Sequence, residues 1–358
     1  MYRGRSRAYY LVFSHQNRIV LKVAVVILNW NGEKLLPQFL PAAIKYCPDN
    51  VEIYVVDNAS TDQSIAVIEK NFPSVKIISL KENFGFAAGY NRALEQIEAE
   101  YYVLLNSDVE VTEGWIEPII KLLDNDKTIA ACQPKIRSSK VRDEFEYAGA
   151  AGGFIDKWCY PFCRGRIFHI FEKDEGQYDQ ITEIFWASGA VLFIRAAEYH
   201  AAGGLDEDFF AHMEEIDLCW RLKNRGFKVY FHPQSLVFHV GGGTLLMGTP
   251  KKTYLNFRNN LQLMTKNLPK RTFFPLLILR MVLDGVAAIS FLPYKNGVGN
   301  FFAVWKAHFS YYWMFFKIMK KRKHVTQRKV GRIYKKSVVF DFFLRRKRKF
   351  SELEGKFT

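Results

Sequence analysis

Ile19–Asn29 (IVLKVAVVILN) is an almost unbroken run of β-branched and aliphatic residues, the pattern of a strand buried on both faces of a parallel sheet. After the polar break Trp30-Asn31-Gly32 comes a helix-like stretch, and then a second such run at Val51–Asp57 (VEIYVVD). Helical spacing over Ser64–Asn71, a strand at Val75–Leu80, a helix over Ala87–Ile97 and a strand at Tyr101–Leu105 follow. This alternation predicts βαβ units and a doubly wound α/β sheet. From about Pro134 to Glu183 the chain turns irregular, rich in glycine and aromatics, and reads as an excursion over one face of the sheet. Ile184–Ile194 returns as a strand, Arg195–Ala202 as a helix and Gly203–Phe210 as a loop. Ile216–Asn224 is a helix closed by Gly226, and Lys228–Phe231 and Leu236–His239 are two short strands.

Beyond this point the pattern changes. Lys252–Leu268 has helical spacing, Phe273–Pro293 is mostly apolar, and Asn300–Met319 is crowded with aromatics. Charge changes with it. Residues 1–250 hold 26 Lys+Arg and 32 Asp+Glu, a net of −6, whereas residues 251–358 hold 25 and 4, a net of +21. The overall +15 is therefore the property of one end. The chain divides into a basic leader (1–18), an α/β domain (19–268) and amphipathic or hydrophobic helices with a basic tail (269–358). The leader lacks the apolar run of a secretory signal. Five scattered cysteines complete no zinc spacing and read as reduced thiols in a cytosolic compartment.

Ligands of open α/β sheets sit beyond the carboxyl ends of the strands, where this chain places Asn29, Asp57 and Asp108. Asp57, within VDNASTD, can accept the imide N–H of uracil or thymine, with Asn58 and Asp62 shaping the pocket. The same residues also suit an Asx-turn and a helix cap. Asn83-Phe84-Gly85 through Gly89 and Asn91 open a helix whose N-terminus favours phosphate. Asp108, after Asn106-Ser107, can bridge a divalent cation such as Mg2+ or Mn2+ to phosphate oxygens. His239, before Gly241-Gly242-Gly243, is the best second ligand, although a lone histidine is more often structural. Three carboxylates, Glu214, Glu215 and Asp217, begin the helix after Phe209-Phe210-Ala211-His212-Met213. One of them can serve as general base; Asp217 equally suits the helix dipole. Trp186, with Ser188 and Gly189 beside it, suits either a sugar face or the core. No GxGxxG follows the first strand, which disfavours a dinucleotide oxidoreductase.

VVILNWNG, VDNASTD, NFGFAAGYNRA, LLNSDVEV, WASGAVLFIR, GGLDEDFFAHMEEIDLCWRLKNRGFKV and VFHVGGGT stand in that order. Together they resemble the inverting glycosyltransferases of family 2, in particular the rhamnosyl- and galactofuranosyl-transferase-like enzymes of bacterial surface polysaccharides. The resemblance covers residues 20–265. It implies a GT-A fold, a Rossmann-like mixed sheet, with Asp57 at the nucleobase. It further implies Asp108 and His239 as metal ligands and Glu215 at the base position. Many relatives have Glu-Asp where this chain has Glu214-Glu215, so the base is a longer side chain here.

The expected reaction moves one sugar from a UDP- or dTDP-sugar to a lipid-linked or other glycan acceptor. A processive synthase would want several spans and a Gln-x-x-Arg-Trp motif. A nucleotidyltransferase would want a glycine-rich loop after the first strand, and a non-enzymatic membrane adaptor would not need the four site residues. The aromatic helix, the following basic run Lys320–Lys323 and the stretch Arg345–Lys349 predict a peripheral anchor on an anionic membrane at its cytoplasmic face. Phe273–Pro293 is also just long enough to span or re-enter the bilayer. A nucleic-acid partner is not expected, because such an arm needs no apolar surface beside it.

Overall fold

The computed structural model describes residues 21–241, 248–353 and 355–358; the leader, Gly242 and Gly243 lie outside the described residues. The chain runs β1 (Leu21–Asn29), α1 (Leu36–Tyr46), β2 (Val51–Asp57), α2 (Ser64–Asn71), β3 (Lys76–Ser79), α3 (Gly85–Leu94) and β4 (Ala99–Asn106). It continues through β5 (Val109–Val111), α4 (Glu117–Asn125) and β6 (Ile129–Ser138). Four short strands follow: β7 (Gly153–Asp156), β8 (Pro161–Cys163), β9 (Arg166–Ile167) and β10 (Ile170–Phe171). Next are β11 (Thr182–Ile184), β12 (Val191–Arg195), α5 (Ala196–Ala201), α6 (Glu214–Asn224) and β13 (Lys228–His239). Helices α7 (Pro250–Asn267), α8 (Lys270–Phe291) and α9 (Gly297–Arg322), then β14 (Ile333–Tyr334) and α10 (Val338–Phe343), complete it.

The main sheet has the order β11-β13-β6-β12-β4-β1-β2-β3, with β5 added on β13. Strands β4, β1, β2 and β3 are parallel. Val23–Ile27 are buried on both faces at the centre of this set, which is why β1 reads as unbroken apolar sequence. In-register pairing of Asn29 with Asp57, and of Leu28 with Asn106, brings three polar strand ends to one edge.

The second half departs from the sequence reading in three places. Pro134–Ser138 is not irregular but belongs to β6, between β13 and β12. Gln133, Pro134 and Lys135 break its apolar pattern. Gln133 is satisfied inside by the Gly149 carbonyl and the Ser188 N–H, and Lys135 by Asp174 at 2.8 Å. The two short strands at Lys228–Phe231 and Leu236–His239 are one strand, β13. It carries a bulge where its register against β6 jumps between His232 and Leu236. Ile184–Ile194 is not one strand. Ile184 ends β11 at the sheet edge, Val191 begins β12 at its centre, and the crossing between them is hydrophobic because Phe185, Trp186 and Ala187 are buried.

The excursion folds into a second sheet, β10-β9-β8-β7-β14, whose last strand comes from the far end of the chain. Residues 329–358 return to the globular body. Phe350 and Phe357 pack on Phe154 with ring centroids 5.0 and 5.1 Å apart, and Tyr334 packs on Phe162. Tyr311 of α9 shares a hydroxyl hydrogen bond with Thr265 of α7 at 2.7 Å. The basic run after the aromatic helix is partly spent inside. Lys321 pairs with Asp206 and Asp208, and Arg322 donates to the Thr265 carbonyl. The five cysteines are free thiols.

Tyr334 is fully buried and its hydroxyl donates to Asp341. Tyr334→Ala should therefore cost about 3–5 kcal/mol in equilibrium denaturation, as truncation of a core aromatic does. A loss below about 1 kcal/mol would show that the C-terminal segment is not part of the cooperative fold.

Candidate active site

At the sheet edge Asp57 is almost wholly buried. It accepts hydrogen bonds from Asn29 Nδ2 at 3.1 Å and from the Ser60 N–H at 3.0 Å. Asn29 Oδ1 is buried without a partner among the described residues. Asn58 ties this wall to the next, donating to Asn83 Oδ1 and the Gly85 carbonyl and accepting from the Phe84 N–H. Gly85 needs its left-handed backbone (φ +78°). Gly89 lets α3 lie on β1, since a Cβ there would sit 2.9 Å from Leu28. Asp62 accepts from the Glu33 and Ser64 N–H groups at 2.9 and 3.0 Å and shapes the loop rim.

Two expected contributors sit elsewhere. Asn91 lies more than a turn along α3, where its amide holds Leu205 O and accepts from Leu205 N and the Tyr199 hydroxyl. It anchors the 203–206 loop instead of facing a nucleotide. Trp186 is core: its indole N–H donates to the Phe154 carbonyl at 3.0 Å, and its ring covers Gly153 so closely that a Cβ there would overlap it. That leaves no open face for a sugar. The neighbouring Ser188 is buried too, its hydroxyl spent on the Ala148 carbonyl.

Ser107 and Asp108 turn the chain from β4 into β5. Because β5 pairs with the end of β13, Val109 lies opposite His239, and Asp108 comes beside the imidazole. Asp108 Oδ1 is 3.1 Å from His239 Nε2, and Glu146 Oε2 is 3.3 Å from His239 Nδ1. Burial alone would lower the His239 pKa, yet Glu146 and Asp108 outweigh it and push it up to about 10. Asp108 and His239 would offer a divalent cation one oxygen and one nitrogen donor only once the imidazole gives up its proton, and among the described residues no group of three such ligands gathers here. Glu146 lies behind the ring, where a carboxylate orients a ligating histidine. No strand end or motif marks Glu146 in the sequence, since it sits in the excursion.

The third group depends on a strained loop. Phe210, His212 and Met213 all have left-handed backbones (φ 65°, 68° and 72°), each a cost of order 1–3 kcal/mol. Asn259 of α7 holds them, its Nδ2 donating to the carbonyls of Phe209, Ala211 and His212 at 3.0, 2.9 and 2.7 Å. Below, Asp217 is fully buried in ion pairs with Arg221 and Lys266, which makes it a structural acid. Glu214 is buried, and burial followed by Glu215 raises its pKa well above the usual carboxylate range. Glu215 keeps partial exposure, and burial pushes its pKa up to about 7. Its side chain packs on Gly189, where a Cβ would lie 3.7 Å away. The adjoining Ala190 carbonyl accepts from Asn106 N at 2.9 Å. Glu215, Gly189 and the Ser107–Asp108 turn thus meet at one sheet edge.

Comparison with known proteins bears on the fold and the family. Residues 24–198 match the family model described as Glycosyl transferase family 2. An N-acetylglucosaminyl-diphospho-decaprenol L-rhamnosyltransferase of Mycobacterium tuberculosis is 23% identical over 229 residues, 60% of this chain and 75% of that one. An uncharacterized glycosyltransferase of Haemophilus influenzae is 30% identical over 112 residues, 30% of this chain and 35% of its own length. The mannosyltransferase PcManGT of Pyrobaculum calidifontis, solved with GDP-Man and Mn2+, aligns over 82% of this chain and 87% of its own. The TM-score is 0.51 and the identity 13%. GalNAc-T7, solved with UDP, GalNAc and Mn2+, aligns over 71% of this chain at a TM-score of 0.53 and 16% identity. This chain spans about half its length (49%). The fold is a mixed α/β, GT-A-like one.

Removing the clamp should be measurable. Asn259→Ala leaves the Ala211 and His212 carbonyls short of a donor, Phe209 O keeping Arg258, and releases the left-handed loop, so it should lower stability by about 1–3 kcal/mol in chemical denaturation. An unchanged midpoint would mean that the loop holds its own shape.

Proposed function

The chain belongs to glycosyl transferase family 2 and is a glycosyltransferase, and on that premise we propose an inverting, metal-assisted transfer of one sugar. The donor is a UDP- or dTDP-sugar and the acceptor a lipid-linked glycan, met at the cytoplasmic face of the membrane. The observation that carries this reading is Glu215: a carboxylate with a buried, unpartnered oxygen and a raised pKa, on the side of Gly189 next to the strand end that leads to Asp108. A pKa near the working pH suits a base that takes the acceptor hydroxyl's proton as its oxygen attacks the anomeric carbon. Glu214, buried and with its pKa raised by burial and then by Glu215, is the supporting neighbour. Asp108 and His239 would hold the cation, which when bound offsets charge on the departing diphosphate. Asp57, steadied by Asn29 and Ser60, would read the pyrimidine edge, a feature uracil and thymine share. The Mycobacterium tuberculosis relative, by name, acts on a decaprenol-linked diphospho-sugar, which supports the acceptor class.

The membrane reading is supported by the faces of α8 and α9. Phe273, Leu277, Arg280, Asp284 and Ala288 form the buried face of α8. Arg280 bonds Asp284 and Asn260, both at 2.7 Å. The outer face exposes Phe274, Val282 and Val286, and α9 exposes Trp313 (91%), Phe316 (83%) and Phe309 (67%). Lys270, Arg271, Lys295, Lys320 and Lys323 are exposed toward the helix ends. Alone among the described helices, α8 is long and apolar enough to cross a bilayer. With one face docked on the domain, it fits better lying in the interface, apolar side in the acyl boundary and cations at the headgroups.

Two measurements follow. Glu215→Gln should lower kcat on the order of 10²–10⁴-fold with donor affinity almost unchanged, and Glu214→Gln should do less. Because the active form is the deprotonated one, kcat/KM of the wild type should rise with pH through about 7 and level off above it. A flat profile together with an active Glu215→Gln variant would remove the base assignment. For the membrane, the double change Trp313→Ser and Phe316→Ser should weaken binding to phosphatidylglycerol vesicles on the order of 100-fold, since two exposed aromatics no longer leave water. Wild-type binding should fall with salt; a wild type that ignores such vesicles sinks the anchor.

A further inference from the structure

Two buried cations gather at Tyr147, the residue after Glu146, which in turn contacts His239. Arg166 on β9 and Lys252 in the first turn of α7 are 9% and 8% exposed. Both approach the Tyr147 ring, with the guanidinium carbon 4.3 Å and the ammonium 4.7 Å from its centroid. Arg166 gives Nη1 to the Phe168 carbonyl at 2.9 Å and Nη2 to Cys163 Sγ at 3.7 Å. Its Nε has no partner among the described residues. Neither cation is in a salt bridge among the described residues. Burial, and then Arg166, push the Lys252 pKa down. Glu146, the acid that offsets part of this, is already engaged by His239 Nδ1 and the Ala148 N–H. Paired positive charge kept out of water costs stability unless an anion joins it.

The place of this pair indicates which anion. Tyr147 directly follows Glu146, and the next carbonyl, Ala148, takes the Ser188 hydroxyl, so one side of the pair borders the catalytic edge. On the other side the start of α7 packs on the start of α9. Gly299 leaves room for Pro250, and Thr253 Oγ1 donates to Asn300 Oδ1 at 2.9 Å. Tyr294, Val298 and Phe302 stand exposed on that apolar surface. We propose that Arg166 and Lys252, bridged by Tyr147, bind the diphosphate of the lipid-linked acceptor, between its sugar in the crevice and its chain along α8 and α9. This deepens the acceptor reading above and rests on it. The donor carries the same diphosphate chemistry, so the test must separate the two sources.

The probe is farnesyl diphosphate, with farnesol as control, titrated into the full-length chain in excess chelator. The wild type should bind farnesyl diphosphate and not farnesol. Lys252→Met and Arg166→Gln should each weaken that binding about tenfold or more, as lost charge-assisted hydrogen bonds do. Lys252→Arg should keep it, which separates lost charge from a damaged fold. UDP and dTDP affinities measured with Mn2+ should stay within about twofold in every variant. Unchanged farnesyl diphosphate binding in both charge-removing variants, or no binding by the wild type, overturns the site. A parallel loss of nucleotide affinity in Lys252→Met but not in Lys252→Arg also overturns it, by giving the cations to the donor. If the wild type binds farnesyl diphosphate yet transfers no sugar to a diphosphate-linked glycan, the site stands and the acceptor reading fails.

Discussion

The buried carboxylate of Asp217 is the point on which the catalytic half of the molecule hangs. It accepts from Arg221 at 2.7 Å, Lys266 at 2.8 Å and Asn267 at 2.8 Å. None of these groups can be left alone in the interior without a penalty of several kcal/mol. Arg221 also donates to the Gly204 carbonyl at 2.7 Å, and Lys266 also pairs with Asp206. One ionic cluster therefore fixes α6, the loop before it and α7 relative to one another. The left-handed stretch from Phe210 to Met213 is tolerable only because this frame and Asn259 hold it from both sides. Glu215 follows directly from it, so its orientation is inherited from α7.

The site is accordingly made of two unlike halves. Asn29 and Asp57 end sheet strands and Asp108 lies in the tight turn between β4 and β5, all three placed by backbone pairing. Glu215, in the first turn of α6, and the loop residues Gly189 and Glu146 depend instead on polar contacts with distant segments. On the proposed reading the rigid edge would fix the donor and the supported segment would hold a base whose surroundings tune its proton affinity.

Helices α7 to α9 invert the usual distribution. The buried face of α7 includes Asn259, Asn260, Gln262, Thr265, Lys266 and Asn267, while the outer faces of α8 and α9 are aromatic and aliphatic. Of these buried groups all but Gln262, whose amide has no partner among the described residues, are hydrogen-bonded to one another or to the domain, and exposed apolar surface of this extent is unusual for a protein surrounded by water alone. This distribution accords with a lipid surface on the outside. It also lets the end of the chain serve two purposes, because Lys321 and Arg322 leave the outer face to stitch α9 to the domain.

Local pattern determined much of this molecule. The first four sheet strands and the polar residues at their ends follow from hydrophobic runs and strand ends, because short-range periodicity and backbone pairing decide them, and the family resemblance couples Asp108 with His239, which the structure sets side by side. Tertiary structure decided the rest. Trp186 became core because Gly153 gives it a place and Phe154 a hydrogen bond. Asn91 became a loop anchor because α3 turns it from the sheet edge. The polar positions of β6 and the bulge of β13 hid strands whose side chains are satisfied by partners far along the chain. Glu146 and the second sheet were equally invisible. Each depends on which distant groups surround a residue, and burial and pairing of that kind have no period that a sequence can display.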